Sequence, residues 1–167
     1  MKKTIRNKID EAGLITLDVS DLVPVGSRAK IDIVDWLDNH LIIKEVSFKL
    51  KLEKFNWDSL KDSFVSVTCS NNVIVPPWAY LLIQMKLRNI AKQVFFCDTK
   101  EMETLLFQQK ITKMNFLEYK NKRVFLKVCG NKEVPLSALS MCAHALSPHV
   151  KSLFYGEPCS SVPLIKN

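Results

Sequence analysis

Alternating apolar and polar positions divide most of the chain into strand-like and helix-like segments. From Phe64 onward, short runs with the two-residue period of a strand are separated by stretches with the 3.6-residue period of a helix. Strands that alternate with helices at this spacing are typical of βαβ units, in which the strands run parallel. The pattern predicts strands over residues 64–68, 93–97, 123–128 and 150–155, and helices over 76–91, 98–113 and 135–146.

Three of the predicted helices begin at residues that suit a first turn. Pro76 and Pro135 each open a helical stretch, and a proline is tolerated there because the missing backbone donor has no partner within the helix. Asp98 stands three residues before Glu101, which is the spacing of a capping box. These starting points support the predicted helix positions.

The pattern before Phe64 is less regular. Residues 14–19 and 29–36 alternate apolar and polar side chains, so each is predicted to form a strand. Over residues 41–55 a strand period and a helical period overlap, and we favour a helix over part of this segment. We expect the two early strands to add to an edge of the sheet, with an antiparallel orientation as one option.

The alternation of elements predicts the fold class. Right-handed crossovers between parallel strands place helices on both faces of a sheet. The prediction is an α/β fold with three layers: a mostly parallel sheet, helices on both faces and a small amino-terminal β extension. A length of 167 residues suits one domain. We therefore predict a single domain over residues 1–167, with the extension over 1–60, a βαβ core over 61–167 and no internal repeat.

Composition places the chain among ordinary globular proteins. It is 47% hydrophobic, yet no apolar stretch approaches the roughly 20 residues that a membrane helix needs. The first residues are charged rather than apolar, unlike a signal peptide. We expect a cytoplasmic protein with no membrane association, in which the five cysteines are reduced thiols.

The formal net charge of +7 raises the question of an acidic partner. The basic residues are scattered, and the densest group, over residues 44–54, is interrupted by Glu45 and Glu53. No zinc-finger, RNP or basic-helix signature accompanies the charge, so nucleic acid is not the expected partner. An acidic protein surface stays open as an alternative.

Three cysteines and one aspartate follow the predicted core strands. Cys69, Cys129 and Cys159 stand at or after strand ends, and Asp98 follows the strand over residues 93–97. If one parallel sheet holds these strands, the side chains gather at its carboxyl edge, where open α/β sheets place their sites. Three thiolates with one oxygen donor suit zinc or three corners of an iron–sulfur cluster. The spacing between them is longer than in most metal sites, and structural thiols are the better interpretation. A reactive thiol that carries a persulfide is a third alternative.

Other side chains near these loops are candidates for binding a cofactor. Ser70, within Ser70-Asn71-Asn72, could contact a phosphate or carboxylate, and Lys132 adds a cation in a turn. Trp78 either forms the wall of a pocket or packs in the core, and packing is the better interpretation. Neither a GxGxxG nor a GxxxxGK[ST] sequence is present. Cys97 and Cys142 belong to apolar runs and are predicted to be core residues.

Short segments spread over nearly the whole chain are similar to those of one protein family. They are Val67-Thr68-Cys69-Ser70, Pro77-Trp78-Ala79-Tyr80, Val128-Cys129-Gly130 and Tyr155-Gly156-Glu157-Pro158-Cys159-Ser160. On these segments the chain resembles the uncharacterised bacterial domain-of-unknown-function family 2480. The resemblance brings no activity, cofactor or catalytic residue. It implies a link to iron–sulfur cluster assembly, near whose components such proteins are encoded, and hence a sulfur-transfer component as a partner.

Three functions from different classes remain at this point. The first is a cytoplasmic protein that binds a metal, an iron–sulfur cluster or a sulfur species through Cys69, Cys129 and Cys159, with Asp98 as a fourth group. The second is a noncatalytic basic interaction module in which all the thiols are structural. The third is an enzyme that acts on a small anionic substrate at the same sheet edge, in a pocket that holds Ser70 and Lys132. No histidine is well placed to serve as a base for a thiol nucleophile, and the residues do not determine whether the protein is an enzyme.

Overall fold

The computed structural model describes residues 14–71, 73–130 and 133–166, and it confirms a mixed α/β fold. The described residues form seven strands and four α-helices, and four short 3-10 helices lie between them. In chain order these elements are β1 (Leu14–Asp18), β2 (Ser27–Asp32), α1 (Glu45–Lys54), β3 (Ser63–Thr68), α2 (Pro77–Leu87), β4 (Gln93–Phe95), α3 (Thr99–Thr112), β5 (Arg123–Lys127), α4 (Leu136–Leu146), β6 (Ser152–Glu157) and β7 (Ser160–Lys166). The 3-10 helices are Val19–Leu22, Ile33–Trp36, Trp57–Leu60 and Phe116–Tyr119.

The strands form two sheets rather than one. In the first sheet the order is β1-β5-β6-β7, with β7 antiparallel to β6 and the other pairs parallel. In the second sheet the order is β2-β3-β4, and both pairs are parallel. The prediction that one sheet holds all the core strands is wrong. Alternation along the chain identifies a strand and its buried face, but its neighbours are selected by tertiary packing.

The chain divides into two compact units that follow the two sheets. The central unit comprises Val25–Met102, and the terminal unit comprises the residues before Val25 together with those from Glu103 onward. Neither unit follows the predicted boundary between residues 60 and 61, because β1 and β2 pair with strands that come much later in the sequence. The single domain stays a prediction.

The central unit is organised around β3, all of whose residues except the last are buried. One face of the sheet packs against α1 and α2, whose Phe48 and Ile83 are fully buried. Trp36 makes edge-on contacts with two aromatic rings, at a centroid distance of 5.9 Å from Phe48 and 5.3 Å from Phe55. The segment over residues 41–55, whose pattern was ambiguous, thus forms the helix α1, as expected.

The terminal unit has its own core between its sheet and the helices α3 and α4. Cys142 is completely buried there, as predicted, and burial raises the pKa of its thiol to about 11. The main buried residues of this core are Leu17, Val19, Phe107, Ile111, Val124, Leu126, Leu146 and Leu153. The segment after Cys159, predicted only as a tail, is the edge strand β7.

The two units repeat one structural plan, which the sequence did not reveal as an internal repeat. Each contains a first strand, a 3-10 helix, an α-helix, a second 3-10 helix, a strand, an α-helix and a third strand, paired in the same parallel order. One backbone hydrogen bond occurs in both units. The amide of Asp62 donates to the carbonyl oxygen of Ile90 at 2.9 Å, and the amide of Asn121 donates to that of His149 at 2.9 Å. The matched residues are 59 positions apart in each case (121 minus 62, and 149 minus 90). Asp62 and Asn121 both adopt positive φ, at 56° and 60°. The repeat is hidden in the sequence because the matched side chains mostly differ.

Candidate functional site

The predicted thiol donors belong to different sheets. Cys69 and Asp98 lie in the central unit, after β3 and β4, whereas Cys129 and Cys159 lie in the terminal unit, after β5 and β6. The premise that one sheet edge gathers all four groups is therefore wrong. Throughout residues 14–71, 73–130 and 133–166, no three His, Cys, Asp or Glu side chains come together in a way that could hold a metal ion.

Asp18 organises the carboxyl edge of the sheet in the terminal unit. It ends β1 and caps the following 3-10 helix, where its Oδ1 accepts a hydrogen bond from the Ser20 amide at 3.0 Å and another from the Ser20 hydroxyl. The same Oδ1 accepts from the amide of Cys129 at 3.3 Å. One carboxylate thus joins the end of β1 to the loop after β5, its parallel neighbour. We call this arrangement the terminal clasp: Asp18, Ser20 and Cys129.

These hydrogen bonds keep Asp18 ionised. Burial by itself would raise the pKa of the Asp18 carboxyl, but the hydrogen bonds from Ser20 and Cys129 outweigh it and lower the pKa to about 2. A negative charge is therefore fixed beside the Cys129 backbone at every pH in the physiological range.

The Cys129 thiol is exposed and has charged neighbours of both signs. Its Sγ lies 3.8 Å from Glu157 Oε1 on β6, and the same oxygen accepts a hydrogen bond from Lys127 Nζ at 2.7 Å. Asp18 raises the pKa of the Cys129 thiol, and the opposing effect of Lys127 does not cancel it. The carboxylate of Glu157, and then the Cys129 sulfur, raise the pKa of Lys127. We call Lys127, Cys129 and Glu157 the thiol site.

Cys159 belongs to the hairpin that also carries Glu157. The turn between β6 and β7 contains only Pro158 and Cys159, and the Cys159 thiol is exposed. Gly156 adopts φ +111° just before this turn, and a Cβ atom there would lie 2.6 Å from the carbonyl oxygen of Ser160. Only glycine therefore allows the hairpin to close as it does.

The central unit contains the same clasp with different side chains. Asp32 ends β2, and its Oδ1 accepts from the amides of Val34 at 3.2 Å and Ser70 at 3.0 Å. Burial opposes ionisation of Asp32, but hydrogen bonds from Ser70 and Val34 hold its pKa below the ordinary value. We call Asp32, Val34 and Ser70 the central clasp. Ser70, predicted to bind a cofactor, therefore uses its amide to join two strands.

The remaining predicted residues have local roles. Cys69, one residue before Ser70, is partly buried and packs against the core of the central unit. Asp98 Oδ1 accepts from the amide of Glu101 at 2.8 Å and so caps α3, as the capping-box spacing predicted. Cys97 is partly rather than fully buried, and burial raises its pKa.

Trp78 both packs and lines a cavity. Its ring contacts Phe48 edge-on at a centroid distance of 5.6 Å, and it borders a cavity of about 380 Å³ between α1 and α2 with Glu45, Lys49, Leu81, Leu82 and Met85. Ser70 is not among the residues that line this cavity. Lys132, the third predicted cofactor-binding residue, lies outside the described residues.

Sequence reasoning missed Asp18, Lys127 and Glu157 as functional candidates. Asp18 carried a usable signal, because an aspartate at a strand end with a serine two residues later is typical of an Asx turn or cap. No sequence signal pointed to Glu157, since its closeness to Cys129 depends on the pairing of β5 with β6.

Comparison with known proteins adds a family and no activity. The model of a family described as protein of unknown function (DUF2480) matches residues 3–167. No curated protein and no solved structure matches the chain. Among the described residues, every helix is too short or too polar to cross a bilayer.

Proposed function

The chain belongs to the DUF2480 family, and from that premise we propose that it is a cytoplasmic thiol protein that binds a sulfur species at Cys129. The observation that carries the proposal is the exposed Cys129 thiol, which is held after β5 by its amide on Asp18 and lies 3.8 Å from Glu157. Cys159, in the hairpin that carries Glu157, is also exposed, but the sulfur acceptor that we propose is Cys129 alone.

A single anchored thiol suits a sulfur species better than a metal ion. A tetrahedral zinc site or a cubane cluster draws on three or four protein donors, and the described residues bring no three such donors together. A sulfane sulfur needs one cysteine, because it is held by a covalent bond between two sulfur atoms. Of the three predicted thiols, Cys129 and Cys159 are exposed, whereas Cys69 is partly buried in a core.

The proposed step is transfer of a sulfur atom from a donor persulfide. The Cys129 thiolate attacks the outer sulfur of the donor, a new S–S bond forms on Cys129, and the donor leaves as a thiolate that takes up the proton lost by Cys129. Lys127 favours the thiolate through its positive charge, while Asp18 favours the thiol. The Cys129 sulfur is therefore mostly protonated at rest, and the species that attacks is the thiolate, which the charge of Lys127 favours. The partner we propose is a sulfur-transfer protein that presents such a persulfide.

The test is to measure sulfane sulfur on the protein after incubation with glutathione persulfide under anaerobic conditions. We expect close to one sulfane sulfur per chain in the wild type, and a loss of about tenfold or more in Cys129→Ser, because the variant keeps the amide bond to Asp18 but loses the acceptor. Cys97→Ser is the matched control, and it should load like the wild type.

Two results would contradict the proposal. The first is equal loading of the wild type and Cys129→Ser, which would move the chemistry to another thiol. The second is stoichiometric zinc or iron, lost in Cys129→Ser, in protein purified anaerobically from metal-replete cells, which would favour a metal centre instead.

A further inference from the structure

We propose that a cationic cavity in the terminal unit binds a small organic phosphate. The cavity measures about 440 Å³ and is lined by Arg123, Lys151, Ser152, Phe154 and Lys166. It lies where β5 and β6 begin and β7 ends, whereas the thiol site lies at the opposite end of the same strands. The inference is independent of the function proposed for Cys129.

The cations come from neighbouring positions across the sheet. Arg123 on β5 pairs with Ser152 on β6, and Ser152 pairs in turn with Lys166 on β7. Paired residues on adjacent strands lie about 5 Å apart and project from the same face. Lys151 directly precedes β6. Two positive charges from β5 and β7, and a third from the residue before β6, thus line one cavity.

Among the residues that line the cavity there is no carboxylate to balance these charges. Among the described residues, Arg123, Lys151 and Lys166 have no ion-pair partner, whereas Lys127 contacts Glu157 at 2.7 Å and Lys86 contacts Glu53 at 2.6 Å. Like charges that share a cavity repel one another, and a bound anion turns this repulsion into attraction. An arginine beside lysines suits phosphate in particular, because the guanidinium group can donate two parallel hydrogen bonds to its oxygens.

Ser152 provides an observation of a different kind. Only 6% of its surface is exposed, and its hydroxyl has no hydrogen-bond partner within the part of the chain that the structure describes. The hydroxyl is not one of the buried side-chain atoms left without a partner, so it is accessible to solvent from the cavity that Ser152 lines. A phosphate oxygen bound between the cations would accept a hydrogen bond from it.

The wall of the cavity indicates an organic rather than a bare phosphate. The ring of Phe154 stacks on Phe125 at a centroid distance of 4.9 Å and an angle of 15°, which gives the cavity a rigid apolar side. The pairing of β6 with β7 is irregular between Leu153 and Phe154, and Phe154 lies opposite Pro163. Such bulges redirect side chains and are frequent beside sites. The volume leaves room for a group larger than phosphate next to the ring.

The central unit shows what the same position looks like without a site. Lys92, which matches Lys151 in the repeat, donates to the carbonyl oxygen of Val25 at 2.7 Å and lies 4.9 Å from the ring centroid of Phe64. Phe64 in turn occupies the position of Arg123. The central cation is therefore used inside the protein, whereas its counterpart in the terminal unit is available to a ligand.

The test is calorimetric titration of the full chain at low ionic strength with inorganic phosphate, pyrophosphate and adenosine monophosphate. We expect adenosine monophosphate to bind at least threefold more tightly than inorganic phosphate, because only the former can contact Phe154. Arg123→Gln, Lys151→Gln and Lys166→Gln should each weaken binding about fivefold or more, and Ser152→Ala about threefold. Lys110→Gln, which removes an exposed lysine from α3, is the charge-matched control and should change binding less than twofold.

Thermal melting of each variant checks that the fold is intact, which we expect because all three cations are exposed. Three outcomes would overturn the proposal. The first is no heat of binding with any probe at 10 mM, and the second is a loss of affinity in Lys110→Gln as large as in the cavity variants. The third is binding of polyglutamate that the three glutamine substitutions weaken, together with no binding of adenosine monophosphate. The last outcome would assign the cavity to an acidic protein surface. Tighter binding of pyrophosphate than of adenosine monophosphate would show that the cavity prefers a polyphosphate. It would contradict the proposal that Phe154 contacts the organic part of the ligand.

Discussion

The terminal and central clasps use the same backbone device with different chemistry around it. In each, an aspartate at the end of the first strand accepts the amide two residues later and an amide from the loop after the neighbouring strand. The second amide belongs to Cys129 in the terminal unit and to Ser70 in the central unit. Because both units have the clasp, its role is to join parallel strands, and the feature that distinguishes the terminal unit is the thiol with Lys127 and Glu157 beside it.

The largest expected effect comes from exchanging the side chains at the matched positions. Cys129→Ser should abolish loading from glutathione persulfide, and adding Ser70→Cys to that variant should not restore it, with loading about tenfold or more below wild type. The central position has Thr68 where the terminal unit has Lys127, and the described residues of the central sheet form no hairpin with a glutamate like Glu157. Sulfane sulfur assays on the single and double variants check this, and full rescue by Ser70→Cys would show that the clasp alone suffices.

The second prediction concerns the hairpin of β6 and β7 in the terminal sheet. Gly156→Ala should lower the free energy of unfolding by about 2–3 kcal/mol, because the new Cβ combines positive φ with a close contact to a backbone oxygen. Gly130→Ala is the control: its φ is +79°, but a Cβ there would meet nothing within 4 Å, so a loss of only about 1 kcal/mol is expected. Urea unfolding measures both, and equal losses would mean that the contact at Gly156 relaxes.

The third prediction compares the charges of the two clasps. Asp18→Asn keeps the accepting oxygen but removes the charge, and it should cost about 1–2 kcal/mol at pH 7, since the folded pKa of about 2 lies below the ordinary 3.8. A depressed carboxyl pKa stabilises the fold above about pH 4, and this contribution is lost as the pH falls towards 2. The difference in unfolding free energy between wild type and variant should therefore shrink over that range.

Asp32→Asn is the companion variant, and its effect should have the same sign because the pKa of Asp32 is also lowered. Urea titrations between pH 7 and pH 2 provide the measurement. A wild-type advantage for Asp18 that does not change with pH would contradict the assignment of the effect to its charge.

The smallest effect should come from the lysine of the thiol site. Lys127→Gln removes a charge that lowers the pKa of Cys129, so alkylation of Cys129 by iodoacetamide at pH 8 should slow about threefold. Asp18→Asn should act in the opposite direction, since Asp18 raises that pKa. Rates followed by mass spectrometry of the Cys129 peptide test both, and Lys110→Gln is the control. Slowing by both substitutions would point to a steric cause.

The sequence predicted the local elements well because they depend on residues close together in the chain. Asp98 capped α3 as its spacing from Glu101 required, and the apolar period located β3, β5 and α4 closely. It predicted the candidate site less well. Cys129 and Cys159 do follow strands of one sheet, but Glu157 reaches Cys129 only through the pairing of β5 with β6.

The sequence by itself determined where strands and helices form, since side-chain periodicity and first-turn residues act over a few positions. Only the tertiary structure decided which strands are neighbours. An apolar strand can satisfy its backbone beside any other strand of similar length, so the choice depends on how whole faces pack. That choice placed β1 beside β5 and β2 beside β3, so that Cys69 and Cys129 follow strands of different sheets. It also brought three cations to one end of a sheet whose other end holds the thiol.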